Sequence, residues 1–213
     1  MRMKSIFTEI YLNNYWDGTE SRSGPGSSIS ETSNIIKELP RLLKKYNIYS
    51  MIDAPCGDMN WMSVLLKQNI FGKYIGMDIV PEMIDRNTEL YQSEKHTFRQ
   101  ADITVNTFPS ADLLLCRDCL FHFSYNDFWL FIDNFLSSDV NYILTTTHVN
   151  RGRLINMDIP TGSWYWMDLL EEPYNFPHPI TFIKDGLYKK LCLWSHDQIH
   201  DVYKKHQSQS LGG

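Results

Sequence analysis

The sequence has few cysteines and no excess of basic charge. Its four cysteines, at positions 56, 116, 119 and 192, are too few for a secreted scaffold of 213 residues held by disulfides. A formal net charge of -5 and a pI near 5.8 argue against a protein that binds nucleic acid through its phosphates. We therefore expect a small-molecule partner and no nucleic acid.

The sequence also lacks a targeting or membrane segment. Its N-terminus does not combine a basic start, an apolar core and a small-residue cleavage site. No apolar run approaches the roughly 20 residues that span a bilayer. These absences predict a cytoplasmic protein without a membrane partner, and they leave the oligomeric state open.

The pattern that is present indicates an α/β protein. With 213 residues, 43% of them hydrophobic, the chain can bury a substantial core in a single domain. From about residue 50 to residue 147, short apolar runs alternate with segments of helical periodicity, which is typical of a doubly wound sheet. We predict an N-terminal helix and lid-like leader over residues 1–29, the main domain over 30–205 and a polar, disordered tail over 206–213.

The stretch SMIDAPCGDMNW, residues 50–61, reads as a strand, a tight turn and the start of a helix. The strand ends in Asp53, and the turn contains Gly57, a small residue that lets the backbone approach a ligand at a helix N-terminus. The run YIGMD, residues 74–78, follows and ends in Asp78. This is the spacing at which a second strand places a carboxylate on a ribose diol.

The first thirty residues combine aromatic side chains with a segment rich in glycine, proline and serine. A flexible leader is one interpretation of this composition. The aromatic residues favour a second one, in which an N-terminal helix is followed by an ordered loop that lies over the site. In that arrangement Trp16 packs on the cofactor and Arg22 reaches an anionic group.

Four pieces of the sequence occur in order, and together they carry a resemblance. They are IDAPCGD (52–58), YIGMDI (74–79), RQADI (99–103) and ADLLLCRD (111–118). At this spacing they resemble the sequential motifs of class I S-adenosylmethionine-dependent methyltransferases, over roughly residues 50–147. The first piece departs from the common acid-x-Gly-x-Gly-x-Gly pattern, because Pro55 and Met59 stand where glycines are usual. The leader W-x-G-x-E-S-x-S-G-P-G-S also resembles that of a small bacterial branch of this superfamily.

The resemblance implies a Rossmann-like methyltransferase fold with a mostly parallel seven-stranded sheet, and S-adenosylmethionine as the cofactor. It implies that Asp78 accepts hydrogen bonds from both ribose hydroxyls, that Gly57 lies against the methionine moiety beside Asp53, and that Asp102 and Ile103 flank the adenine. Helix capping by Asp78 and a plain turn role for Asp102 are the structural alternatives. The expected cofactor-binding residues are Trp16, Arg22, Asp53, Ala54, Pro55, Cys56, Gly57, Asp78, Ile79, Asp102, Ile103 and Arg117.

Catalysis on such a fold needs an aligned acceptor and, for a hydroxyl, a place for its proton, because the sulfonium already makes the methyl group electrophilic. The candidates for the proton are Asp118, His122 and His148. Asp118 and His122 are four residues apart and would share one face if a helix begins there. A packing role for His122 is the alternative. Arg117 could hold the cofactor carboxylate or an acidic acceptor, or it could pair with Asp118.

Two further features have a functional and a structural interpretation. Cys116 and Cys119 have the spacing of a zinc or redox pair, but no second pair accompanies them, so we expect core residues and no metal. A late aromatic group lies where this fold usually builds its acceptor pocket, and it could stack on a sugar ring or base or only bury a connection. This group is Trp164, Tyr165, Trp166, Tyr174 and Phe176.

We therefore predict methyl transfer to a small acceptor, preferably at an oxygen of a sugar or a phosphorylated metabolite. A NAD(P)-dependent oxidoreductase is one alternative, since it shares the ribose-binding acid, but the chain has no Gly-x-Gly-x-x-Gly turn and no second nucleotide-binding half. A cofactor-binding partner subunit without catalysis is the other. Binding of NAD but not of S-adenosylmethionine would favour the oxidoreductase, and a bound cofactor without turnover would favour the partner subunit.

Replacing Asp78 by alanine should weaken S-adenosylmethionine binding by about 1.5 to 3 kcal/mol, the range for losing a charged hydrogen-bonding partner. Isothermal titration calorimetry on the folded variant measures this change. An unchanged dissociation constant would rule out the ribose-binding role.

Overall fold

The computed structural model describes residues 2–149 and 155–210, which fold around one seven-stranded sheet. The strands are β1 (Ser50–Asp53), β2 (Lys73–Asp78), β3 (His96–Gln100), β4 (Leu113–Cys116), β5 (Tyr142–His148), β6 (Thr181–Asp185) and β7 (Lys189–Ser195). Their order is β3-β2-β1-β4-β5-β7-β6. The first five strands are parallel, and β7 is antiparallel to both β5 and β6. The predicted fold class, a doubly wound and mostly parallel seven-stranded sheet, is confirmed.

Helices cover both faces of this sheet. They are α1 (Arg2–Asn13), α2 (Ile29–Lys45), α3 (Met62–Lys67), α4 (Pro81–Tyr91), α5 (Tyr125–Leu136) and α6 (His196–Ser210). None of the helices in the described ranges is long and apolar enough to cross a bilayer. Residues 206–210 continue α6, although the sequence places them in a polar tail, and residues 211–213 of that tail lie outside the described ranges.

The alternation of side chains along the strands divides the core into two layers. Leu113 and Leu115 of β4 pack with α2 and α3, whereas Leu114 and Cys116 pack on the opposite face with α5. All four residues of β4 are completely buried, as expected for a central parallel strand covered on both faces. The middle of the sheet is therefore rigid, and the carboxyl ends of β1, β2 and β4 meet at one edge.

Strand β6 has a weak sequence signal because it is the edge strand. Phe182 and Lys184 are exposed, and only Ile183 and Asp185 are buried. The position of β6 beside β7 brings Asp185, at the end of the strand, towards the centre of the molecule. Asp185 pairs there with the guanidinium of Arg117, and the sequence around either residue does not indicate this pairing.

Candidate active site

A pocket lies at the carboxyl ends of β1, β2 and β4, where an open α/β sheet binds its ligands. Helix α1 and the leader loop, residues 14–28, cover it. Of the residues predicted from the sequence, those that line it are Trp16, Asp53, Pro55, Cys56, Gly57, Asp78, Ile79, Ile103, Arg117, Asp118 and His122. The predicted residues outside the lining are Arg22, Ala54, Asp102 and His148. Sequence reasoning missed Met3, Phe7, Ser23, Ser27, Asp58, Met59, Asn60, Trp61, Val80, Met83, Ala101, Cys119 and Phe123.

The turn after β1 is held by backbone hydrogen bonds to both neighbouring strands. Ala54 N–H donates to the Leu115 carbonyl at 2.9 Å, and Cys56 N–H donates to the Met77 carbonyl at 2.9 Å. Gly57 has a φ of +57°, and a Cβ atom there would lie 2.4 Å from Ser23 Oγ. Glycine is thus required by the backbone conformation and by the close approach of the leader loop.

Asp78 accepts backbone hydrogen bonds from the turn after β1 and from the start of the segment that leads into α4. Its Oδ1 accepts from Val80 N–H at 3.0 Å, and its Oδ2 accepts from Gly57 N–H at 3.0 Å. A carboxylate has about four acceptor positions, so each oxygen can still accept a ribose hydroxyl. Burial raises the pKa of Asp78 to about 6, against the opposing effect of these N–H donors.

Asp53 is a second buried carboxylate at the floor of the pocket. The Tyr74 hydroxyl donates to its Oδ2 at 2.7 Å and also lies 3.1 Å from Met59 Sδ. Burial raises the pKa of Asp53 to about 7, although the Tyr74 hydrogen bond lowers it. The pocket therefore has two carboxyl groups that protonate close to neutral pH, and a cationic ligand would favour their ionised forms.

The side chain of Asp102 accepts hydrogen bonds within its own turn. Its Oδ1 accepts from Thr104 N–H at 3.0 Å and from Thr104 Oγ1–H at 2.6 Å. Asp102 is also absent from the pocket lining, in contrast to the prediction that it flanks the adenine, because its side chain is turned towards Thr104 within this turn. Its neighbours Ala101 and Ile103 supply apolar surface to the pocket.

Arg117 is at the centre of a buried ion cluster. Its Nε and NH2 donate to Oδ2 and Oδ1 of Asp185, both at 3.0 Å, and NH2 also donates to the Gly26 carbonyl at 2.8 Å. Lys189 Nζ donates to Asp118 and lies 3.7 Å from Asp185. The guanidinium, predicted to reach the cofactor carboxylate, lines the pocket and is held through Nε and NH2 by Asp185 and the leader loop. The predicted pairing with Asp118 is present at 3.4 Å.

Asp118 is an ionised member of this cluster. Burial raises its pKa, but the Arg117 and Lys189 cations together lower it below the ordinary value. Its backbone has a φ of +49°, and Thr146 Oγ1–H donates to its Oδ1 at 3.2 Å. The residue precedes the short 3-10 turn Leu120–His122, so the expectation that it shares a helical face with His122 is wrong. A carboxylate with a lowered pKa is a poor proton acceptor.

His122 has the arrangement of a neutral base. Its Nδ1 lies 2.7 Å from the Ser163 carbonyl, which can only accept, so Nδ1 carries the proton and the Nε2 lone pair is available. Burial lowers the pKa of His122, which keeps the ring neutral at pH 7. The Trp16 ring packs 5.3 Å away between centroids.

His148 is placed differently from His122. Its Nδ1 lies 3.0 Å from the Met167 backbone nitrogen and 3.2 Å from the Met167 carbonyl oxygen, and its ring lies 5.1 Å from that of Phe121. It is buried outside the pocket lining, and burial lowers its pKa. Of the three predicted proton acceptors, the structure thus leaves His122 as the one with an available lone pair at the pocket.

The leader loop is attached to the turn after β1 through Asp58. The carboxylate of Asp58 accepts from Ser21 Oγ–H at 2.9 Å and from Arg22 N–H at 2.8 Å, while Asp58 N–H donates to Ser23 Oγ at 2.9 Å. The Arg22 guanidinium donates to the last carbonyls of α1, at 3.3 Å each, so it stabilises a helix C-terminus. It does not line the pocket, in contrast to the prediction that it reaches an anionic group.

Cys116 and Cys119 are both buried free thiols. Burial raises the pKa of Cys119 well above its ordinary value. Over the described ranges, no group of three or more histidine, cysteine or acidic side chains is arranged to hold a metal ion.

Residues 52–136 match a family model described as a methyltransferase domain. A search of curated proteins gave no match.

Several solved structures share the fold. Human N-acetylserotonin methyltransferase, in complex with SAM, has a TM-score of 0.63 at 14% identity, over 88% of this chain and 58% of that protein. Magnesium protoporphyrin IX methyltransferase from Synechocystis PCC 6803, with bound SAM, has a TM-score of 0.60 at 13% identity, over 92% of this chain and 97% of that protein. The methyltransferase domain of bacterial CtHen1-CN has a TM-score of 0.59 at 16% identity, over 78% and 99%. At these identities the similarity shows a common fold.

Replacing Asp58 by alanine should release the leader loop, because it removes the acceptor of two hydrogen bonds at a cost of about 1 to 3 kcal/mol. Limited trypsin digestion should then cleave after Arg22 faster than in the wild type, while circular dichroism shows an intact sheet. Asp85→Ala, which changes an exposed aspartate on α4, is the matched control and should leave the cleavage rate unaltered. Equal rates for all three proteins would contradict the role of Asp58.

Proposed function

We propose that the chain is a methyltransferase that uses S-adenosylmethionine as its cofactor, and that it methylates an oxygen of a small-molecule acceptor; the match to a methyltransferase domain over residues 52–136 and the shared fold support this. The observation that carries this proposal is the Nε2 lone pair of His122, held neutral at the pocket by the Ser163 carbonyl. A hydroxyl must lose its proton as it is methylated, and a neutral imidazole is suited to take it at pH 7.

The residues of the pocket fit the cofactor. Asp78 has acceptor positions left for the two ribose hydroxyls, and the apolar side chains of Ile103, Val80 and Met83 offer a site for a flat adenine ring. Asp53 lies next to the turn at Gly57, where its carboxylate can attract the positively charged part of S-adenosylmethionine. When bound, S-adenosylmethionine supplies a methyl group on a positively charged sulfur.

His122 then acts on the acceptor. The hydroxyl oxygen would form the new bond to the methyl carbon as the bond between that carbon and the sulfur breaks, with its electron pair left on the sulfur, while the hydroxyl proton moves to Nε2 of His122. The bond between Nδ1 and the Ser163 carbonyl holds the ring in place and stabilises the imidazolium that forms. Asp118 stays ionised and contributes a negative charge nearby, which favours that imidazolium.

The leader loop acts as a lid in this proposal. Trp16, Ser23 and Ser27 line the pocket, and the loop joins the ion cluster through the Gly26 carbonyl. Closure of the loop would exclude water from the transfer and hold the acceptor against His122. We extend the proposal to the organisation of the chain, with residues 1–29 as the lid unit and residues 30–205 as the methyltransferase domain of a cytoplasmic enzyme.

His122→Gln should lower kcat by a factor of about 100 to 10,000, the range for removing a general base, and leave the S-adenosylmethionine dissociation constant unchanged. Transfer of labelled methyl groups to a panel of alcohols, phenols and amines measures this and separates oxygen from nitrogen acceptors. In the wild type, activity should fall as the pH decreases through the lowered pKa of His122, because the imidazole becomes protonated.

His200→Gln, on the exposed face of α6, is the matched control and should retain full activity. A normal kcat in His122→Gln would show that another group takes the proton. Transfer to amines alone would refute oxygen as the acceptor atom.

Affinity for S-adenosylmethionine should rise with pH between 5.5 and 7.5. The raised pKa values, about 7 for Asp53 and about 6 for Asp78, mean that both groups are largely protonated at the lower pH and ionised at the higher one. A gain of about tenfold corresponds to one pKa unit, or about 1.4 kcal/mol. Calorimetry at both pH values should show a smaller gain for S-adenosylhomocysteine, which lacks the sulfonium charge, and for Asp53→Asn. Identical pH dependence for the two ligands would contradict this assignment.

A further inference from the structure

The late aromatic group divides into core residues and an exposed pair. Tyr165, Tyr174 and Phe176 are buried in the core that packs on α5. Trp164 is 62% exposed and Trp166 is 37% exposed. Exposure alternates along residues 164–167, with Trp164 and Trp166 exposed and Tyr165 and Met167 buried. Packing accounts for the three buried rings but not for the two exposed ones.

Hydrogen bonds hold this segment against the residues that surround the proposed base. The Ser163 carbonyl bonds to His122 Nδ1 at 2.7 Å, and Tyr165 N–H donates to the Phe121 carbonyl at 3.3 Å. At the other end, His148 N–H donates to the Met167 carbonyl at 2.7 Å. The two indoles are therefore carried by a backbone that is fixed next to the His122 turn.

Ring contacts hold Trp166 just outside the pocket lining. Its ring centroid lies 5.0 Å from that of His148 and 5.5 Å from that of Tyr188, which it meets edge-on. Tyr188 precedes Lys189, whose Nζ donates to Asp118, a residue of the pocket lining. Trp166 is thus packed on two sides close to the Asp118 side of the pocket, and part of its surface is exposed.

Charge at the pocket selects against an anionic acceptor. Arg117 is bound to Asp185, and Lys189 is bound to Asp118 and approaches Asp185, so two cations are balanced by two carboxylates. Within the described ranges, Arg117 and Lys189 are the cationic side chains of this ion cluster, and both are already paired with carboxylates. A phosphate or carboxylate brought here would compete with buried partners, whereas an uncharged molecule would not.

We propose that Trp166, with Trp164 beside it, is the platform on which the acceptor stacks, and that this acceptor is an uncharged ring bearing a hydroxyl group. This inference rests on the proposed function. A sugar ring or a phenol has an apolar face that covers the indole and a polar rim that stays in water, which suits a half-exposed tryptophan. The hydroxyl at the rim would then point towards His122.

Calorimetry on the protein saturated with S-adenosylhomocysteine tests the platform. The probes are methyl glycosides, simple phenols, sugar phosphates and uronic acids. We expect an uncharged probe to bind, its affinity to fall by about tenfold in Trp166→Ala, and Trp166→Phe to restore most of it. The class of uncharged probe that binds, methyl glycoside or phenol, identifies the kind of ring that the acceptor carries. Tyr49→Ala, which removes an exposed aromatic ring just before β1, is the control and should not change binding.

Steady-state methyl transfer with the probe that binds gives a second measurement. Trp166→Ala should raise the KM for the acceptor by about tenfold with a smaller change in kcat, and it should leave the affinity for S-adenosylhomocysteine unchanged. Binding restricted to sugar phosphates or uronic acids, or no Trp166-dependent response to any uncharged probe, would overturn the inference. A protein that transfers methyl groups independently of Trp166 refutes the platform alone, whereas one that does not bind S-adenosylmethionine refutes the proposed function.

Discussion

The guanidinium of Arg117 joins three parts of the chain that are far apart in sequence. It follows β4, binds the carboxylate at the end of the edge strand β6, and donates to a carbonyl of the leader loop. A buried ion pair gains little net stability, because the cost of removing both charges from water offsets their attraction. Its value here is positional, since a bidentate pair fixes both the angle and the distance of its partners. Asp118, Lys189 and the leader loop take their positions from it.

At the floor of the pocket, too, the fold fixes the positions of charged groups. Parallel strands β1 and β2 end side by side, so Asp53 and Asp78 lie in one small buried volume. Backbone N–H groups and the Tyr74 hydroxyl keep these carboxyl groups oriented, and burial keeps their pKa values near neutrality. A site of this kind is preorganised for a ligand that carries a positive charge and a diol, and it is less favourable when empty.

Packing distinguishes two histidines that look equivalent in the sequence. The Nδ1 of His122 lies against the Ser163 carbonyl, whereas the Nδ1 of His148 lies near both the N–H and the carbonyl of Met167. The contact of His122 leaves the lone pair on Nε2, and of the two rings His122 lines the pocket and His148 does not. The residues that decide this, Ser163 and Met167, come from the connection between β5 and β6, and sequence spacing does not indicate their partners.

The sequence by itself determined the features that depend on local pattern. Continuous apolar runs predict β1, β2, β4 and β5, and the acids at strand ends identify Asp53 and Asp78, because parallel strands bring their carboxyl ends to one edge. Only the tertiary structure decided which groups meet across long separations. Arg117 pairs with Asp185, 68 residues away, Arg22 binds the end of α1, and Trp166 stays exposed while Tyr165 is buried. Strand identity follows from a residue's neighbours in sequence, whereas the choice of a charge partner or a buried face depends on strand order and connection geometry, which no short stretch of sequence specifies.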